Sequence, residues 1–272
     1  MSLGIVIKGP EGLVLAAESR VTLSAQQADG TKIHVNFDNA TKLLHFSEPH
    51  KTVGVVTYGL AAIGFRTAHS FLPEFEANLP NDRLSILEFA KRLSAFFLKQ
   101  WQTGMLPDYQ GPDMTFVVGG FNENEPYGRV YLIDIPKTPE PSEQYQDPGL
   151  FGITWGGQRE FVDRLIQGYD YRLPEILSKA INLTPEQIPI MKQVLDSLHM
   201  QLPLAAMPLQ DCINLAIFFV RTTIAAQKLT VGIRGCGGPI DVAIITRRQG
   251  LNFVQQKQII GESGQVGDIL QT

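Results

Sequence analysis

Four short apolar runs, separated by polar turns, precede any helical periodicity in this chain of 272 residues. Residues 3–7 and 13–17 flank a turn rich in Gly and Pro, and residues 42–46 and 52–57 flank a second polar turn. Strands joined by short turns pair antiparallel, whereas parallel strands need long crossover connections. The chain is therefore predicted to begin with two antiparallel hairpins, which argues against a doubly wound parallel sheet.

The rest of the chain alternates helical and strand patterns. Apolar residues recur at helical intervals from Leu60 to Pro80 and again from Leu84 to Gly104. Further helices are predicted over 159–167, 174–181, 184–198 and 208–229, and further strands over 114–118, 129–135, 150–154, 240–246 and 251–255. Residues 21–39 and 136–148 are predicted to be irregular and solvated. This order predicts an α+β fold with two sheets packed together between helical layers.

Length and composition limit the classes of protein and partner. The sequence shows no internal repeat or sharp composition break, so a single domain over residues 1–272 is predicted, with a flexible C-terminal tail from about residue 257. A formal net charge of −4 supplies no basic field for nucleic acid, and no apolar run is long enough for a membrane helix. The two cysteines and five histidines lack metal-ligand spacing. We therefore expect a cytoplasmic protein with no cofactor, metal, nucleic-acid or membrane partner.

The start of the chain carries the strongest candidate for chemistry. Ser2 opens the first strand and Glu18 closes its hairpin partner, so the turn brings the two residues to the same edge. Lys42 begins the next predicted strand after a loop long enough to return it to that edge. Glu18 and Lys42 could equally form a structural ion pair. Because the sequence lacks a Gly-x-Ser-x-Gly elbow and a phosphate loop, the common hydrolase and nucleotide sites are excluded.

Four segments resemble a known family. Residues 2–22, with the core Gly-Leu-Val-Leu-Ala-Ala-Glu-Ser-Arg-Val-Thr, are similar to the opening of proteasome β subunits, which are N-terminal-nucleophile hydrolases. Residues 41–46 resemble the lysine-bearing strand of that family, residues 55–62 its following strand and glycine, and residues 237–246 its penultimate strand. The likeness is greatest to bacterial proteasome-related subunits. It implies a four-layer αββα sandwich of two mainly antiparallel sheets, assembled into rings.

The resemblance also implies a catalytic set. Removal of Met1 would leave Ser2 as both nucleophile and amine base, because a terminal amino group titrates at about 7.7 to 8.0. Lys42 would stabilise the deprotonated Ser2 hydroxyl, and Glu18 would keep Lys42 charged and oriented. The backbone N–H of Gly59 would face the developing oxyanion.

Two further residues would bind substrate. By the same resemblance, Thr22 and Ala61 would hold a peptide as an added strand through main-chain hydrogen bonds. The chain departs from the family pattern near its end, where Cys236 stands at the position of a serine and the preceding aspartate is absent. No hydroxyl side chain follows Thr154 in the stretch ending at Gly157, where the family has a serine.

Three functions agree with these observations. The first is a peptidase that cleaves peptides or unfolded protein through Ser2 inside a ring of identical subunits. The resemblance also implies an ATPase partner, although no residue identifies a docking site for it. The second is a catalytically inactive subunit that forms a structural or gating ring. The third is an amidase that acts on a small molecule. Low charge and apolar helical surfaces agree with extensive self-association under either of the first two hypotheses.

Overall fold

The computed structural model describes residues 2–26, 32–232 and 234–260. Its strands are β1 (Leu3–Lys8), β2 (Leu13–Glu18), β3 (Val21–Gln26), β4 (Lys32–Phe37), β5 (Leu43–His45), β6 (Val53–Gly59), β7 (Ala62–Ile63), β8 (Arg66–Thr67), β9 (Met114–Gly120), β10 (Arg129–Ile135), β11 (Thr138–Glu143), β12 (Gly152–Gly157), β13 (Ile240–Thr246) and β14 (Gly250–Gln255). Its α-helices are α1 (Leu72–Glu76), α2 (Ile86–Gly104), α3 (Glu160–Ile166), α4 (Leu173–Ala180), α5 (Gln187–Asp196) and α6 (Leu209–Leu229).

Two antiparallel five-stranded sheets form the centre of the molecule. The first has the strand order β12-β1-β2-β13-β14, and the second has the order β11-β10-β9-β6-β5. In the first sheet, Gly4 lies opposite Ala17 on one side and Gly156 on the other. Every residue of β1 and β2 is buried, because these strands have packed layers on both faces. This explains why they are continuous apolar runs without polar alternation.

Three apolar clusters define four layers. One lies between α2 and the second sheet and contains Phe89, Phe97 and Phe116. Another lies between the two sheets and contains Val6, Leu15 and Val117. The third lies between the first sheet and helices α3 and α6. The structure thus confirms the α+β fold and the four-layer αββα sandwich.

Helix α6 is a core helix by its packing. By length and composition alone it could cross a membrane, and it is the one such helix in the part of the chain that the structure describes. Its residues Ile213, Ala216 and Val220 are buried against β1 and β2. The long apolar stripe in the sequence therefore corresponds to a helix on a sheet.

Two segments that were expected to be irregular form strands. Residues 21–39 contain the hairpin β3–β4, in which Val21 pairs with Phe37 and Leu23 with Val35. Residues 136–148 contain β11, which pairs with β10 at the edge of the second sheet. An edge strand with an exposed face tolerates proline and charge, so its composition resembles that of a loop.

The prediction of one helix from Leu60 to Pro80 is mostly wrong. The segment holds the short hairpin β7–β8, a 3-10 turn over Ala68–Phe71, and α1, which has five residues. Gly64 adopts a positive φ of 57° at the turn between β7 and β8. Such a turn interrupts a helix. The apolar residues on either side of it are buried by packing in the cluster under α2, and not as one face of a helix.

The C-terminal part is described only as far as residue 260. Lys257 is attached to the body, since its N–H donates to Asp241 Oδ1 at 2.8 Å and its ammonium group pairs with the same carboxylate. Residues 261–272, which carry most of the predicted flexible tail, lie outside the described residues. The tail and the single-domain organisation stay predictions.

Candidate active site

The first hairpin brings Ser2 and Glu18 together at one end of two inner strands of the first sheet. Because β1 and β2 pair antiparallel, the residues that open β1 lie opposite those that close β2. The N–H of Leu3 donates to Glu18 Oε1 at 3.2 Å. Ser2 is 4% exposed and Glu18 is 1% exposed, so both lie inside the fold rather than at a loose terminus.

Four donors surround the Glu18 carboxylate. Besides Leu3, the N–H groups of Arg20 and Gly237 donate to its Oε2 at 2.7 Å and 3.0 Å. The fourth donor is the ammonium group of Lys42, which pairs with Oε1. A buried carboxylate loses its hydration, and charge-assisted bonds of this kind offset that cost. Besides the neighbouring Arg20, donors from three other chain segments thus hold Glu18 in position.

Lys42 is held in a single orientation. It directly precedes β5 and is 5% exposed, and its carbonyl oxygen accepts from the N–H of Thr57 at 2.9 Å. Its Nζ donates to Glu18 and to the carbonyl oxygen of Arg20. An ammonium group has three protons, so these two acceptors leave one proton for another partner. Burial lowers the pKa of Lys42, and the Glu18 charge opposes that shift.

Ser2 and Lys42 line the same small pocket. Its volume is about 20 Å³, which is enough for about one water molecule. The other lining residues are Val21, Ala40, Thr41, Thr57, Tyr58, Leu60, Ala61, Thr67 and Ala68. The pocket therefore brings together Ser2, Lys42 and Ala61 from the predicted set, with Glu18 directly behind Lys42.

Besides Glu18, two predicted residues do not line this pocket, namely Gly59 and Thr22. Gly59 ends β6 between two lining residues, and its positive φ of 85° and its contact with the Asp113 carbonyl explain the need for glycine. Thr22 lies on β3 one residue beyond Val21, and its hydroxyl donates to Asn36 Oδ1 at 2.8 Å. The backbone donor role of Gly59 and the substrate role of Thr22 stay predictions.

Tyr58 forms a wall of the pocket that sequence reasoning missed. Its ring packs from the second sheet against two glycines of the first, Gly4 and Gly156, which are paired partners on β1 and β12. A Cβ at Gly4 would lie 2.7 Å from the Tyr58 ring, so a side chain there would displace it. Burial raises the pKa of Tyr58, so the phenol is protonated at neutral pH. Glycines inside apolar strands are the sequence signal for such close approach.

Cys236 lies behind the site as a buried thiol. Burial raises its pKa, and the nearby Glu18 carboxylate adds to the shift. The thiol is therefore protonated at neutral pH, whereas a nucleophilic cysteine needs a lowered pKa. The backbone N–H of Cys236 donates at 2.8 Å to the side chain of Gln227, a residue of α6 that sequence reasoning did not single out.

Over residues 2–26, 32–232 and 234–260, no group of three or more His, Cys, Asp or Glu side chains could hold a metal ion. The expected absence of a cofactor stays a prediction.

The fold is similar to that of proteins called Anbu, or ancestral beta-subunit. The Anbu of Yersinia bercovieri is 15% identical, with a TM-score of 0.56 over 94% of this chain and 88% of that one. A helical assembly of the Anbu complex from Pseudomonas aeruginosa is 15% identical, with a TM-score of 0.57 over 97% and 88%. The Anbu of Hyphomicrobium sp. strain MC1 is 14% identical, with a TM-score of 0.53 over 94% and 88%.

These comparisons correct the family assignment made from sequence. No protein-family model matches the chain, and no curated protein matches it. The assignment to the proteasome β-subunit family is therefore wrong, because the likeness is to Anbu structures at 14–15% identity and extends to the fold alone. Any chain with this sandwich needs buried apolar strands and glycines in its turns. A sequence can therefore resemble the family in these segments without belonging to it.

Proposed function

We propose that this protein is a peptidase that hydrolyses amide bonds with Ser2 as its nucleophile once Met1 has been removed. The observation that supports this proposal is the buried Glu18–Lys42 ion pair, whose lysine lines one pocket together with Ser2. Burying two charges costs desolvation free energy, and a buried ion pair often stabilises a fold no better than apolar side chains would. Stability alone is therefore a weak reason for this pair. A cation held next to a serine hydroxyl lowers the cost of its deprotonated form.

The proposed reaction needs only the terminal residue and its neighbours. The free α-amine of Ser2 takes the proton of its own hydroxyl, and Oγ attacks the carbonyl carbon of the substrate. The C–N bond then breaks, and the leaving amine receives that proton from the α-ammonium group. A water molecule hydrolyses the resulting ester and regenerates Ser2. Lys42 stays protonated throughout and stabilises the negative charge on Oγ.

The substrate would lie across the mouth of the pocket. The pocket, with a volume of about 20 Å³, is too small for a substrate side chain. The reacting carbonyl group must therefore approach from the open side of the pocket. Ala61 and Val21 stand among the lining residues, and Val21 begins β3. We propose that an extended peptide adds beside these segments, with Thr22 and Ala61 supplying main-chain hydrogen bonds and Gly59 the oxyanion donor.

We also propose that the chain assembles with copies of itself. One structural neighbour is described as a helical assembly. Two surfaces of this chain agree with self-association. Val35 and Phe37 are exposed on one face of the hairpin β3–β4, and Ile190 and Val194 are exposed on α5. A cytoplasmic location and an ATPase partner stay predictions.

Cleavage of fluorogenic peptides tests the peptidase proposal. The full chain is incubated with a peptide panel, and its intact mass is recorded in parallel. We expect turnover by a protein whose mass lacks Met1, and loss of turnover by at least about 10³-fold in Ser2→Ala. Ser197→Ala, a change at an exposed serine at the end of α5, is the matched control and retains turnover. Equal turnover in Ser2→Ala and the wild type would contradict the proposal.

A catalytically inactive assembly subunit is the second candidate. It is favoured by Gly59, the predicted oxyanion donor, which does not line the pocket. This candidate predicts an intact Met1, no turnover of any amide in the panel, and a large oligomer by light scattering. An amidase for small molecules would instead cleave non-peptide amides and still depend on Ser2.

A further inference from the structure

The side chain of Gln227 joins two segments that reach the candidate site. Gln227 lies buried near the end of α6. Its Oε1 accepts from the N–H of Cys236 at 2.8 Å, and its Nε2 donates to Gln158 Oε1 at 3.0 Å. Since a backbone N–H can only donate, the bond from Cys236 fixes which end of the amide faces Gln158.

The hydrogen-bonded chain Cys236–Gln227–Gln158 is called the bridge below. Each of its ends is joined to the site by a backbone hydrogen bond. Next to Cys236, the N–H of Gly237 donates to Glu18 Oε2 at 3.0 Å. At the other end, the N–H of Gln158 donates to the carbonyl oxygen of Ser2 at 2.7 Å. One neutral amide therefore connects the segment that holds the Glu18 carboxylate with the segment that holds the backbone of Ser2.

We propose that Gln227 is a positioning residue that sets the separation between Ser2 and the Glu18–Lys42 pair. The inference rests on the proposed function, because it assigns to Gln227 a part in the same reaction. Movement of either segment would change the approach of Lys42 to the Ser2 hydroxyl, and misplacement of reacting groups by about 1 Å can cost about 10²-fold in rate.

The neutral amide has a distinct electrostatic consequence. A carboxylate at this place would favour the protonated forms of the Ser2 amine and Lys42. A glutamine holds the same geometry without that effect, so the amine stays available as a base near neutral pH. Geometry and charge can therefore be separated by two substitutions at one residue.

Gln227→Leu tests the geometric part. The variant keeps the approximate volume and removes both hydrogen bonds, so we expect kcat to fall about tenfold while KM changes less than twofold. Thr223→Val is the matched control, because its hydroxyl donates to the carbonyl oxygen of Phe219 on the same helix, at 3.0 Å, and to no other described residue. Both variants should lower Tm, and only the first should lower kcat per folded molecule. Equal kcat in the two variants would overturn the proposal and leave Gln227 with a structural role.

Gln227→Glu tests the electrostatic part. Its carboxylate accepts from Cys236, and the Gln158 amide can turn and donate to it, so the bridge is retained with an added negative charge. We expect the acidic limb of the kcat profile to shift to higher pH, with the kcat plateau within about threefold of the wild type. A purely structural role would leave the midpoint of that limb unchanged, which would contradict the proposal.

Hydrogen exchange separates failure of this inference from failure of the proposed function. If no variant and no wild-type sample cleaves the panel, the proposed function fails while the bridge can still be measured. Gln227→Leu should then speed amide exchange in both 157–159 and 234–238, and Thr223→Val in neither. Faster exchange in only one of the two segments, or in neither, would overturn the bridge itself.

Discussion

The two helical layers of the sandwich pack against their sheets in different ways. The layer under α2 is rich in aromatic rings in edge contacts, such as Phe97 with Phe71 at 5.9 Å and Phe75 with Phe89 at 5.5 Å. The layer under α3 and α6 is mainly aliphatic. Its helices bury the polar side chains of Asp163, Thr223 and Gln227, whereas α2 buries that of Ser94. Apolar packing needs volume, whereas buried polar groups need partners at fixed directions.

This difference assigns the layers to different tasks. The polar layer is continuous with the candidate site, since Gln227 reaches the segments that hold Ser2 and Glu18. Asp163 accepts from Trp155 Nε1 at 2.8 Å and from Arg159 Nε at 2.7 Å, next to the same segment. The aromatic layer lies under α2 on the opposite side of the sandwich, where Leu60 and Ala68 at its border line the pocket and Phe97 does not. Mutations in the two layers should therefore separate stability from activity.

Lys42→Met should have the largest effect, because it lowers both the stability of the fold and the proposed catalytic activity. Removing the cation leaves Glu18 buried without its ion partner, which costs about 3–5 kcal/mol of unfolding free energy, measured in urea. Lys257→Met is the matched control, since it breaks another buried pair, with Asp241, at the same end of the first sheet. Lys257 does not line the pocket that contains Ser2 and Lys42. Both variants should lose stability, and only Lys42→Met should lose all turnover. Loss of turnover in both would remove the special role of Lys42.

Phe97→Ala should lower stability without touching the site. Phe97 is fully buried against Phe71, Phe96 and Phe116, so truncation creates a cavity that costs about 3–5 kcal/mol in urea unfolding. We expect kcat per folded molecule to stay within twofold of the wild type. A fall in kcat as large as that of Gln227→Leu would show that the two layers are not independent.

Asp163→Ala should have an intermediate effect confined to the polar layer. It leaves the Trp155 N–H without its acceptor and costs about 1–3 kcal/mol in unfolding free energy. Glu175→Ala removes an exposed carboxylate from α4 and serves as the control, with no measurable change expected. If the two variants unfold at the same urea concentration, the polar layer does not depend on directed hydrogen bonds.

Some of this arrangement follows from local sequence, and some does not. The strands β1, β2 and β6 and the helices α2 and α6 were predictable, because each is a periodic or continuous apolar segment with polar ends. The approach of Glu18 to the start of β1 followed from the first hairpin, whereas the loop before Lys42 was only long enough to permit its contact with Glu18. The family assignment failed because these same features are required by the fold.

The parts that were missed depend on distant partners. The strand β11 forms because β10 offers an open edge, and its own residues are typical of a loop. Gln227 lies 69 positions from Gln158 along the chain, so no local pattern relates them. Tyr58 meets Gly4 and Gly156 only after the two sheets have stacked.

The smallest expected effect is a pH dependence in the aromatic layer. His50 is buried against the Phe89 ring, at 5.6 Å between centroids, and burial lowers its pKa below the ordinary value of about 6.5. The unfolded chain therefore takes up a proton before the folded one, so stability is lost as the pH falls below about 6.5. Urea unfolding at pH 7 and pH 5 should show this loss in the wild type, and His50→Leu should reduce it. An unchanged loss in His50→Leu would assign it to other groups.

Trapping of an acyl-enzyme tests most directly whether the buried ion pair makes Ser2 reactive. The full chain is treated with a peptide ester that acylates hydroxyl groups, and the adduct is located by intact mass and peptide mapping. The account predicts one acyl group per chain, on Ser2, and its absence in Lys42→Met but not in Lys257→Met. Acylation of another residue, or equal labelling of Ser2 in the wild type and Lys42→Met, would contradict it.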